Sequence, residues 1–146
     1  MALKLLLGAV TAAAAALIAT GCSSYSPITS VRIERAIAST FANLVEAQVA
    51  RMGLPQLTAA EVGASARCLK LPAGGAGAGE WSCTLIWQGP QGRALRDGYD
   101  LFVATNGCFM AALSGESLGG PILKTTDDKP VRNLLYAFDG CFDTTT

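Results

Sequence analysis

The sequence predicts an α+β domain: one N-terminal amphipathic helix packed on a four-stranded antiparallel sheet, then a loop-rich C-terminal tail clipped on by a disulfide. Three observations lead there. After Ser30 apolar residues recur at helical spacing, through Ile33, Ile37, Phe41 and Leu44. From Glu80 to Gln88 they alternate, with Trp81, Cys83, Leu85 and Trp87 on one face and Ser82, Thr84, Ile86 and Gln88 on the other. Turn signals then fall at regular intervals, at the glycine run 74–79, at Gly89-Pro90-Gln91-Gly92 and at Asn106-Gly107.

The chain opens with Lys4, an apolar run from Leu5 to Ala19, and small residues at its end, the layout of a secretory signal peptide. The run is short of the roughly 20 apolar residues a bilayer span needs. Polar residues follow at once, Ser23, Ser24, Tyr25 and Ser26. The stretch Ala19-Thr20-Gly21-Cys22 resembles a bacterial lipobox, with alanine where leucine is commonest. That resemblance implies cleavage before Cys22, a diacylglycerol on its thiol and acylation of the new amino terminus. It implies in turn a protein held by lipid on the extracytoplasmic side of the cell membrane. Each buried methylene contributes about 0.8 kcal/mol, and two chains suffice for stable anchoring. The expected organisation is a signal peptide at 1–21, a lipidated Cys22 with a short linker at 22–29, and one α+β domain at 30–146.

Composition narrows the function classes. Eleven bases balance eleven acids. No basic stripe argues for nucleic acid, so none is expected as a partner. Histidine is absent, which removes the commonest general base and the commonest neutral metal ligand. Ser-His and Cys-His nucleophiles are therefore impossible, and no cofactor or metal is expected.

The helix starts at Ser30, read as its N-cap, with Glu34 where the dipole favours an acid, and it stops after Arg51 at Gly53 and Pro55. Its sparse polar face suits a helix covering a sheet. A loop around Pro55 and Thr58 leads to a first strand, Ala64 to Leu71, and then to Pro72 and the glycine run, a flexible surface loop. This loop lacks the Lys-Ser or Lys-Thr ending of a phosphate-binding loop. If it closes a hairpin between Leu71 and Glu80, register counting puts Cys68 opposite Cys83, at a separation a disulfide spans. A third strand runs from Asp97 to Thr105 with Tyr99, Leu101 and Val103 on one face, and Asn106-Gly107 turns it into a fourth, Cys108 to Leu113.

From Ser114 to Arg132 glycines and prolines break any period, and Leu134 to Phe138 is the last apolar run. The ending Asp139-Gly140-Cys141-Phe142 echoes Asn106-Gly107-Cys108-Phe109, and a Cys108–Cys141 bond would tie the tail to the sheet. An even set of four cysteines in an exported chain is expected to form disulfides, a metal site or redox pair being the other readings. With its Trp-x-Cys strand and two Cys-aromatic pairs, the mature part is similar to uncharacterised small actinobacterial lipoproteins. The helix-then-meander order is similar to the wrap of cystatin-like domains, a likeness that carries no activity.

The acids Asp127, Asp128, Asp139 and Asp143 lack the spacing of a calcium loop, and no pair of carboxylates is marked for hydrolysis. Trp81 and Trp87 read as core. Ile86, Phe102 and Phe109 read as the opposite, uncovered face, a surface for a partner. The expected function is a non-enzymatic lipoprotein that binds an envelope protein or ligand, the alternative being a secreted hydrolase or thiol-redox protein.

Overall fold

The computed structural model describes residues 27–145. The expected signal peptide, Cys22 and most of the expected linker lie outside the described residues. The folded part begins earlier than Ser30, because Ile28 is buried at 3% exposure and its carbonyl accepts from Gly77 N at 2.8 Å. The glycine loop is thereby pinned to the start of the domain. Trp81 Nε1 holds it from the other side, donating to Gly77 O at 3.1 Å.

Helix α1 spans Ser30–Arg51 and buries Ile33, Ile37, Phe41, Val45 and Val49 together with Ala38 and Ala42. Its N-cap is Thr29, not Ser30: the Thr29 hydroxyl accepts from Arg32 N, and Ser30 is already helical. A one-turn helix α2, Ala59–Val62, follows with a complete capping box between Thr58 and Glu61. It brings Val62 into the core.

Strands β1 (Ser65–Lys70), β2 (Gly79–Gln88), β3 (Ala94–Val103) and β4 (Cys108–Leu113) form an antiparallel meander. The sheet has a fifth strand where four were expected. The segment Ala137–Cys141 pairs antiparallel with β4, placing Cys141 opposite Cys108. The tail before it is also more ordered than a run of loops, since Ile122–Lys124 (β5) and Pro130–Arg132 (β6) form a small hairpin, which makes Ala137–Cys141 β7. Sequence pattern hid β7 because Asp139-Gly140 reads as a turn. Here Gly140 sits within the strand with Phe109 against it, and a Cβ there would lie 2.7 Å from Phe109 Cζ.

Among the strands, α1 comes nearest to the two edges, β1 and β7, so the sheet curls around it. Two polar side chains of the helix hold what flanks it. Glu34 Oε1 accepts from Cys68 N on the β1 edge at 2.9 Å, and Gln48 Oε1 accepts from Leu134 N before β7 at 2.7 Å. Between them Phe41 meets Trp87, Tyr99 and Phe138 with ring centroids 5.4, 5.9 and 6.4 Å away.

Candidate functional site

Every second side chain of the sheet faces away from α1. Register places these in rows. Glu80, Phe102, Met110 and Asp139 form one row across β2, β3, β4 and β7. Ser82, Asp100, Ala112 and Ala137 form the next. Among the described residues no element covers them: Phe102 is 53% and Met110 65% exposed. All of these but Ser82 line a groove of 650 Å³, with Leu71 and Arg132, from the hairpin before β7, also lining it.

Of the residues expected on this open face, Phe102 lies in the groove, and Ile86 is on the same face but half-buried, opposite Arg96 and outside the groove. Phe109 does not lie there. It points into the core at 2% exposure, and Met110 takes the outward position instead. The cause is the β3–β4 turn. A two-residue Asn106-Gly107 loop would put Phe109 on the face of Phe102, but Ala104 N donates to Cys108 O, so the loop is the three residues Thr105–Gly107. Gly107 takes φ 82° at its end. One extra loop residue exchanges the two faces of the returning strand.

The groove is acidic. Glu80, Asp100 and Asp139 surround Phe102 and Met110, and none of them is in an ion pair. Among the described residues the ion pairs are Lys124–Asp128 and Lys129–Asp127, both in the β5–β6 turn. The bases of this face, Arg67 and Arg96, lie towards its other end, beyond the rows of the acids. Alternation along β3 made Asp100 and Phe102 readable as neighbours, whereas Met110 and Asp139 needed the loop length and the fifth strand.

The tail acids are scattered. Asp128 pairs with Lys124, Asp139 faces the groove, and Asp143 accepts from Thr145, whose side-chain and backbone hydrogen bonds hold its carboxyl below the usual range. No group of three or more His, Cys, Asp or Glu among the described residues is placed to hold a metal.

Cys68–Cys83 and Cys108–Cys141 are disulfides, joining directly opposed strand residues with Cα atoms 4.1 and 3.9 Å apart. The first is buried beneath α1; the second lies on the outward side of β4 and β7, with Cys141 exposed. Trp81, Trp87 and Tyr99 belong to the core. Burial first, and the Asp97 charge second, push the Tyr99 hydroxyl far above its ordinary value. That hydroxyl donates to Leu135 O at 2.7 Å.

A second, more apolar cavity of 370 Å³ lies at the other end of the domain, between the loop after α1 and the β2–β3 turn, lined by Val49, Leu54, Pro55, Leu57 and Pro90 with Gln56 and Gln91. Among the described residues no helix is long and apolar enough to cross a membrane. No family model, curated protein or solved structure matches this chain.

Proposed function

We propose that this chain is a lipoprotein, anchored through Cys22 on the extracytoplasmic side of a bacterial membrane, and that it acts as a non-enzymatic binding module through the outer face of its sheet. The observation that carries the binding reading is the groove itself: two large exposed apolar side chains, Phe102 and Met110, ringed by three carboxylates without ion-pair partners. A monomer gains nothing in stability from such a face. Two disulfides fit an oxidising compartment. The chain enters the domain at Pro27, five residues after Cys22, beside the glycine loop from which β2 starts. A lipid on Cys22 would therefore hold the Glu80–Asp139 row at the membrane-proximal end.

Intact mass of the membrane-extracted protein tests the anchor. A chain starting at Cys22 with added acyl mass supports it, and an unacylated or uncleaved chain overturns it. Photo-crosslinking in cells tests the surface, with the reactive residue at position 102 or at the exposed helix position 43. One discrete adduct from 102 alone supports the reading. Equal labelling from both positions, or none, defeats it.

A further inference from the structure

We infer that the groove takes an extended, cationic peptide segment with bases at positions i and i+4 and an apolar side chain at i+2, laid across the strands. This rests on the reading of the outer face as a binding surface and adds the chemistry of its occupant.

The row Glu80, Phe102, Met110, Asp139 sets the spacing. Three inter-strand steps separate its two carboxylates, about 14 Å at the usual strand separation. An extended chain presents residues i, i+2 and i+4 on one side, and i to i+4 covers about 13 Å. Two lysines in that relation reach Glu80 and Asp139 together, and the side chain between them meets Phe102 and Met110. Asp100, two residues along β3 from Phe102, adds a third acid beside the apolar centre.

Charge favours this occupant over the others. A second copy centred on the groove would set Glu80, Asp100 and Asp139 against their own kind; only a copy shifted along the strands would meet them with Arg67 and Arg96, and dimerisation is the outcome that would reveal it. The N-terminal segment of this chain carries a single basic side chain, Lys4, within the expected signal peptide, so after the expected cleavage it brings no basic side chain. The bases further along the face form no ion pair with the acids: the Arg67–Thr84 register pair lies four residues along β2 from Glu80, about 13 Å away, and two residues, about 7 Å, from the Ser82–Asp100 pair. Among the described residues Arg132 alone lines the groove as an opposing charge, and it makes no ion pair there.

The test is an NMR titration of the full mature protein in detergent, following the Met110 methyl and the Ala112 methyl. The probes are Ac-Lys-Thr-Leu-Thr-Lys-NH2, its charge-reversed form with glutamates, and the spacing variant Ac-Lys-Lys-Leu-Thr-Thr-NH2. The first peptide is expected to bind and to weaken as salt is raised. Glu80→Gln and Asp139→Asn are each expected to weaken it about two- to fivefold, and Arg132→Gln to strengthen it by a similar factor. All three positions are exposed, so the fold is retained.

Equal binding of the glutamate peptide overturns the cationic assignment, and equal binding of the spacing variant overturns the i, i+4 geometry. Concentration-dependent dimerisation abolished by Phe102→Ser overturns it in favour of a second copy. If crosslinking from position 102 still captures a discrete partner while the lysine peptide fails, the occupant's chemistry is wrong and the surface stands; failure of both removes the surface too.

Discussion

Trp87 Nε1 donates to Asp97 Oδ2 at 2.6 Å inside the core, where both residues are 4% exposed. A carboxylate under the helix is tolerable only with such a partner, because an unpaired buried charge is costly. Removing the indole N–H leaves the carboxylate stranded, whereas an amide at position 97 keeps an acceptor for it. Trp87→Phe is therefore expected to cost about 2–4 kcal/mol and Asp97→Asn less than about 1 kcal/mol. Urea denaturation of the two variants checks the order; an asparagine variant as costly as the phenylalanine one would refute it.

Tyr99 gives the pH dependence. Burial raises its folded-state value above the ordinary 10.0, and the Asp97 charge adds to this. The folded form therefore holds the proton after the unfolded chain has released it, so this contribution to stability is whole below pH 10 and falls as pH rises above it. Tyrosinate absorbance near 295 nm should show Tyr99 ionising only as the fold is lost. Comparison with Tyr99→Phe isolates the signal, and a Tyr99 step within the native baseline contradicts the assignment.

The two disulfides differ in access. Cys68 and Cys83 are 4% and 1% exposed, whereas Cys141 is at the surface. Mild thiol reductant under native conditions is expected to open Cys108–Cys141 first, read by alkylation and mass. By loop closure over sequence separations of 15 and 33, loss of either bond costs about 3–4 kcal/mol. Simultaneous opening of both bonds would show that access does not set the order.

Gly140 tests the fifth strand. A Cβ there would fall 2.7 Å from Phe109 Cζ and 3.1 Å from Thr40 Oγ1. Gly140→Ala should destabilise by about 1–3 kcal/mol through overpacking. Gly120 has open space around its Cβ position, so Gly120→Ala should stay within about 0.5 kcal/mol. A neutral Gly140→Ala would mean that α1 does not press β7 against Phe109.

Much of the fold was legible because local rules and burial agreed. The helical period after Ser30, the alternation of Trp81, Cys83, Leu85 and Trp87, and the hairpin count that set Cys68 against Cys83 depend on residues close in sequence. Even the α2 cap is written locally, as Thr58 and Glu61 three residues apart, although its short apolar content gave no periodic signal.

What the chain alone determined, then, is its α+β class, its paired cysteines and the inner face of β2, since each follows from periodicity or short register counting. What only the tertiary structure decided is the membership of the outer face. The three-residue loop ending at Gly107 turned Phe109 inward and Met110 outward, because a strand's faces exchange with a single step. The pairing of β7 with β4 then brought Asp139 into line with Glu80, Phe102 and Met110. That row exists only across four strands, and no stretch of sequence contains it, because its members are neighbours through hydrogen-bonded pairing and not along the chain.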